Sequence, residues 1–112
     1  MDILVQADGV RLTEMLRNAV DEKIGRVEQS APRALRARVR IRKTSAHANE
    51  AQYVVRVVVE LPGQNISADQ IGPEPLLALD ILSGKIARRL RKHKTERLSN
   101  RTNRSPRVRE KS

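Results

Sequence analysis

The sequence predicts an α/β two-layer sandwich, in which a four-stranded mixed sheet carries both helices on one face. Two segments place apolar residues at a helical period, shorter segments alternate apolar and polar residues, and turn residues separate them. The resulting element order is β-α-β-β-β-α. Because the first helix connects two strands of one sheet, those strands should be parallel. The 112 residues suffice for one domain and a tail.

The first strand and first helix are predicted from the N-terminal third of the chain. Residues Ile3 to Asp8 alternate as a short strand, and Gly9 supplies the turn after it. Thr13 is of a residue type that caps helices, so a helix is predicted from there to about Gln29. Ser30 to Pro32 should end that helix. Its apolar stripe is Leu16, Ala19, Val20, Ile24 and Val27.

The segment from Leu35 to Lys43 alternates strictly between apolar residues and arginines, which predicts a strand with one basic face. Arginines two positions apart on a strand lie about 7 Å apart and repel one another unless an anion is present. The alternative is an ordinary solvated face, the usual finding where charges are mixed. We favour an RNA-binding face made of Arg36, Arg38, Arg40 and Arg42, followed by Lys43.

A polar loop and a hairpin should follow. Residues Thr44 to Glu50 are predicted to form the loop, and Gln52 to Leu61 to form the strongest strand of the chain. Pro62-Gly63 is a turn sequence, after which Asn65 to Asp69 resume an extended strand.

The second helix is predicted from Leu76 to Lys94. Gly72 and Pro73 end the preceding strand, and Pro75 suits the first turn of a helix. The apolar stripe expected to face the sheet is Leu76, Leu79, Ile81, Leu82, Ile86 and Leu90.

The end of this helix is strongly basic and predicts contact with a polyanion. One or two cations satisfy a helix C-terminus electrostatically, whereas this helix carries five. Beyond it, residues 95–112 are predicted to be a basic, disordered tail on a folded domain of residues 1–94. The five cations near the end of the second helix are Arg88, Arg89, Arg91, Lys92 and Lys94.

Composition indicates which partner is expected. A net charge of +10 and a sequence pI of about 11.2 favour nucleic acid or an anionic membrane surface. Tyr53 is the only aromatic residue, so recognition by stacking single-stranded bases on aromatic platforms is not expected. Binding should instead depend on arginines and lysines that contact phosphates.

Other functional classes lack the residues that they require. The chain has two histidines and no cysteine, so no metal site, no cofactor and no thiolate chemistry are expected. No Ser-His-Asp spacing or phosphate-binding glycine loop occurs, so we expect no enzyme and no small-molecule substrate. The N-terminus does not resemble a signal peptide and no segment is apolar enough to span a bilayer, which predicts a cytoplasmic protein.

Three segments, residues 12–28, 57–69 and 78–94, together resemble the ribosome hibernation promoting factors, the family that includes protein Y. The resemblance covers residues 1–94 and implies a short-form member with a fold similar to double-stranded-RNA-binding domains. It implies binding to small-subunit rRNA in the mRNA and tRNA channel, which keeps idle ribosomes inactive, and a monomer off the ribosome. Asp80, in the step Ala78-Leu79-Asp80, matches an acidic family residue. The basic terminal helix of the family corresponds here to Lys85, Arg88, Arg91, Lys92 and Lys94.

Three alternatives remain open at this stage. The first is a general double-stranded RNA or DNA binder without ribosome specificity, since phosphate contacts carry no sequence information. The second is a peripheral membrane protein anchored by the terminal helix, although that helix has no Trp or Phe. The third is a modulator of a sigma factor, whose partner would be a protein.

Overall fold

The computed structural model describes residues 1–47 and 50–103, and the elements follow the predicted order. Four strands and two helices are joined by short connections, with a 3₁₀ turn after the first helix. Among the described helices, none combines the length and apolar character that crossing a bilayer requires. The elements are β1 (Asp2–Asp8), α1 (Glu14–Gly25), the 3₁₀ turn (Arg26–Gln29), β2 (Arg36–His47), β3 (Glu50–Leu61), β4 (Gln64–Gly72) and α2 (Pro75–Asn103).

The sheet has the order β1-β2-β3-β4 and is mixed, as predicted. Strand β1 runs parallel to β2, and the other neighbouring strands are antiparallel. Apolar side chains from alternate positions of β2, β3 and β4 lie under α1 and α2 in one core. The opposite sheet face carries no helix among the described residues, so the predicted two-layer class is confirmed. The buried strand residues are Ala37, Val39, Ile41, Val55, Val57, Val59 and Ala68.

Helix α1 starts where its sequence predicts. The Thr13 side-chain oxygen accepts a hydrogen bond from the Leu16 backbone N–H at 3.1 Å, which satisfies one of the free amides at the helix start. The α-helical part ends at Gly25, a poor helix former, and the 3₁₀ turn carries the chain on to Gln29. Val27 in that turn is buried, so the turn extends the apolar stripe into the core.

The loop predicted at Thr44 to Glu50 is wrong for most of its length. Strand β2 continues to His47 and β3 begins at Glu50, while residues 48–49 lie outside the described part of the chain. The strand register shifts between Thr44 and His47, and the pairing of β2 with β3 resumes at His47, opposite Glu50. Backbone pairing needs no apolar side chain, so the polar composition was a poor guide here.

Helix α2 begins at Pro75, one residue before the predicted start, and runs to Asn103, nine residues beyond the predicted end. Residues 95–103 contain neither glycine nor proline, so nothing in the sequence ends the helix earlier. The rest of the predicted tail, residues 104–112, lies outside the described residues, and the domain boundary at 94 stays a prediction.

The buried stripe of α2 lacks two of the predicted residues and adds Ala78. Leu76 is 39% exposed and Ile81 is 46% exposed, whereas Leu82 is fully buried. A residue advances about 100° around a helix, so Ile81, two positions after the buried Leu79, lies roughly 160° away from it, nearly on the opposite side of the helix. The side chains that face the sheet are Ala78, Leu79, Leu82, Ile86 and Leu90.

Candidate nucleic-acid interface

Helix α2 presents a group of exposed cations that we call the α2 basic cluster: Arg88, Arg91, Lys92 and Lys94. Helical spacing directs the first three away from the buried stripe and into solvent. Within the described part of the chain, none of the four forms an ion pair. Their charge is therefore available to an anion from outside the molecule.

Two other predicted RNA-binding residues of α2 already have partners inside the protein. Lys85 Nζ donates to the backbone oxygen of Asp69 at 2.8 Å, and Arg89 Nη1 donates to that of Ser67 at 2.6 Å. Both acceptors belong to β4, which is an edge strand of the sheet. Unpaired backbone groups on an edge strand invite pairing with another chain. Lys85 and Arg89 thus dock α2 on β4 and occupy part of that edge.

The arginine row of β2 lies on the open sheet face, as predicted, but neighbouring strands neutralise half of it. Arg38 Nε lies 2.8 Å from Glu60 Oε2, and Arg40 Nε lies 2.8 Å from Asp8 Oδ2. Among the described residues, Arg36 and Arg42 form no ion pair. The open face is therefore mixed in charge, which is the arrangement that the alternative reading of a solvated face expects.

Lys43 is separated from the arginine row by the geometry of the strand. Successive side chains on a strand point to opposite faces, so Lys43 points to the side that carries the helices. It is exposed near the turn at Gly9, where the Lys43 Cβ would lie 3.6 Å from a Cβ added to that glycine. Lys43 cannot act with Arg40 and Arg42 in binding one phosphate.

Arg56 joins the open face, although it is absent from the predicted site. It lies on β3 directly opposite Arg40, and like charges in that position repel. These two arginines and Arg42 surround a hollow of about 300 Å³, whose other walls are Val54 and Asp69. The alternation of β3 placed Arg56 on its polar face, but only the strand register shows that Arg40 lies across from it.

The sheet separates the two predicted basic surfaces. The arginine row and Arg56 lie on the face without helices, whereas the α2 basic cluster projects from the opposite layer. A single phosphate backbone therefore cannot lie flat against both. The α2 basic cluster is the less compensated of the two and is the better candidate for the principal contact.

Asp80, the acidic residue that the family resemblance singled out, links the two helices. Its Oδ1 accepts a hydrogen bond from Lys23 Nζ of α1 at 2.8 Å. This hydrogen bond, together with the positive charge of Lys23, lowers the pKa of the Asp80 carboxyl below its usual value. Asp80 therefore helps to fix α2, and with it the basic cluster, relative to the rest of the domain.

We expect Asp80→Asn to destabilise the fold slightly at neutral pH and not in acid. A carboxyl whose pKa is lowered by folding stabilises the protein above its unfolded-state pKa, and that contribution disappears as the pH falls through the folded-state pKa. Urea unfolding of the unaltered protein and of Asp80→Asn, measured from neutral to acidic pH, should show that their difference in unfolding free energy shrinks in acid. Glu22→Gln is the control, because Glu22 pairs at 3.8 Å with Arg26, only four residues further along the chain, and so joins no distant elements. A difference that does not change with pH would contradict this role of Asp80.

Sequence comparison relates nearly the whole described chain to one family. The model of the family described as "Sigma 54 modulation protein / S30EA ribosomal protein" matches residues 3–98. The ribosome hibernation promotion factor of Deinococcus radiodurans is 32% identical over 92 residues, covering 82% of this chain and 48% of that protein. The factor of Staphylococcus aureus is 28% identical over 94 residues, covering 81% of this chain and 47% of that protein. The chain thus spans about half the length of these two relatives.

A relative of similar length and two solved structures agree with this assignment. The ribosome hibernation promoting factor of Pseudomonas putida is 27% identical over 99 residues, covering 88% of this chain and 92% of that protein. A ribosomal subunit interface protein from Coxiella burnetii has a TM-score of 0.75 at 22% identity, covering 85% of this chain and 99% of its own. The N-terminal domain of Thermus thermophilus protein Y has a TM-score of 0.70 at 17% identity, and the match covers 83% of this chain and 99% of that domain. The two structural matches show that the fold is shared.

Proposed function

Since the chain belongs to the family of sigma 54 modulation proteins and S30EA ribosomal proteins, we propose that it is a ribosome-associated translation inhibitor. In this proposal it binds small-subunit rRNA in the mRNA and tRNA channel and keeps idle ribosomes inactive. The names of the relatives support the proposal, since all three are ribosome hibernation promotion or promoting factors and one structural neighbour is a ribosomal subunit interface protein.

The observation that carries the proposal is the α2 basic cluster, with four exposed cations and no ion pair among the described residues. Arginine binds phosphate oxygens through two parallel hydrogen bonds, and lysine contributes a mobile point charge. Release of counterions from RNA would drive binding. Inhibition would be steric, because a folded domain held in the channel excludes tRNA. It requires no catalytic group.

Co-sedimentation with purified ribosomes on a sucrose gradient tests the proposal. We expect the protein to travel with the small subunit, to be displaced by tRNA and to be unaffected by generic duplex RNA. If six to ten phosphates are contacted, affinity should fall about 10³- to 10⁵-fold between about 50 and 200 mM salt, on the scale known for duplex DNA. Protein that stays at the top of the gradient in low salt would contradict the proposal.

A general double-stranded RNA or DNA binder is the second candidate function. The observation that favours it is the hollow between Arg40, Arg42 and Arg56 on the open face, which could hold a phosphate of any nucleic acid. The same gradient separates the two candidates. Duplex RNA that removes the protein from ribosomes as readily as tRNA does would favour the second candidate.

A further inference from the structure

A small cleft opens beside the α2 basic cluster, where three distant parts of the chain meet. The connection from α1 to β2, the turn between β3 and β4, and the turn of α2 that contains Leu90 form its walls. We call it the Pro32–Pro62 cleft, after the two prolines that line it. Its volume is about 210 Å³. Pockets for drug-sized molecules span about 300–1,000 Å³, so the cleft suits a smaller group.

The chemistry of the lining combines an apolar interior with a cationic rim. Leu90 is buried at its base, and Leu61 with the two prolines adds apolar surface. Arg33 and Lys94 are both exposed and supply two positive charges. No acidic residue lines the cleft among the described residues. An occupant should therefore carry an apolar or planar part together with a negative charge.

Two of the lining residues belong to types that stack on nucleobases. RNA-binding proteins stack unpaired bases on aromatic rings, including that of histidine, and on arginine guanidinium planes. His93 and Arg33 both line the cleft, and Ser30 adds a hydroxyl that can donate or accept a hydrogen bond. Tyr53 is the only Phe, Tyr or Trp in the chain and is not part of this lining. The cleft is thus a place where a base could be held without such an aromatic residue.

We propose that the Pro32–Pro62 cleft binds one unpaired nucleotide of RNA, with the base stacked on the His93 ring and the phosphate on Arg33 and Lys94. This inference rests on the proposed function, since the ribosome supplies the RNA. The cleft would contact a nucleobase, whereas the neighbouring α2 basic cluster would contact phosphates. Lys94, the last member of the α2 basic cluster, belongs to both surfaces and joins them.

Titration of the full-length ¹⁵N-labelled protein with each of the four nucleoside monophosphates tests the cleft directly. We expect saturable amide shifts at the lining residues that carry a backbone N–H, with dissociation constants in the millimolar range for at least one base. These residues are Ser30, Ala31, Arg33, Leu61, Leu90, His93 and Lys94. Ribose 5-phosphate and inorganic phosphate should bind at least about tenfold more weakly, since they lack the base. Equal binding of ribose 5-phosphate, or stronger binding of a short acidic peptide containing leucine, would overturn the proposal.

A pair of double variants separates this proposal from the function on which it rests. Arg33→Ala/Lys94→Ala should weaken nucleotide binding about tenfold or more and should also weaken ribosome binding by about tenfold. Arg91→Ala/Lys92→Ala removes the same charge outside the cleft, so it should weaken ribosome binding and leave nucleotide binding unchanged. Equal loss of nucleotide binding in both variants would overturn the cleft assignment, as would full ribosome binding by the first variant. Nucleotide binding by a protein that never co-sediments with ribosomes would instead contradict the proposed function alone.

Discussion

Simultaneous replacement of Arg88, Arg91 and Lys92 by alanine should lower the affinity for ribosomes on the order of 1,000-fold. A hydrogen bond to a charged group contributes about 1.5 kcal/mol or more, and three such losses multiply to roughly that factor. The three side chains are exposed and make no hydrogen bond or ion pair within the described residues, so their removal should leave the fold intact. The slope of log affinity against log salt concentration, which is negative, should also become less steep by about three. Co-sedimentation at several salt concentrations measures both quantities.

The matched control is Arg11→Ala/Arg17→Ala/Arg26→Ala, which removes the same three charges from exposed positions on and around α1. Lys94 is left in place in the test variant because it also lines the Pro32–Pro62 cleft. If net charge alone attracted the protein to RNA, both triple variants would lose affinity equally. That outcome would contradict the assignment of the contact to the outer side of α2.

Local signals in the sequence were sufficient to predict the fold class and most element starts. Thr13 caps α1 through its own side chain, and Pro75 starts α2 because its fixed φ and missing N–H suit a first turn. The element ends were less predictable. The extension of β2 to His47 depends on pairing with β3 across a register shift, which no local pattern in residues 44–50 reveals.

The candidate site was predictable only where it depends on a single element. The periodicity of α2 was sufficient to place Arg88, Arg91 and Lys92 at the surface. It did not show that Arg89 reaches the backbone of β4, because that contact depends on how the helix packs. On β2 the alternation correctly put four arginines on one face, but the pairing of Arg38 with Glu60 depends on the strand register. The Pro32–Pro62 cleft was not predictable for the same reason, since its walls come from three distant segments.

We expect Leu82→Ala to lower the free energy of unfolding by about 2–5 kcal/mol, out of the roughly 5–15 kcal/mol typical of a small domain. Leu82 is fully buried between α2 and the sheet, so truncation removes apolar contacts and leaves a cavity in the core. Alanine is the better helix former, so helix propensity cannot account for the loss. Urea unfolding followed by circular dichroism measures this loss.

The adjacent Ile81→Ala is the control, and it decides between the stripe predicted from sequence and the one in the structure. The sequence pattern placed Ile81 and Leu82 on one stripe, whereas Ile81 is 46% exposed and Leu82 is not exposed at all. Truncation of an exposed side chain usually changes stability by no more than about 0.5 kcal/mol. A large loss in Ile81→Ala with a small one in Leu82→Ala would mean that α2 is rotated by about one residue. The α2 basic cluster would then rotate with it, so this pair of stability measurements also tests which cations of α2 face away from the domain.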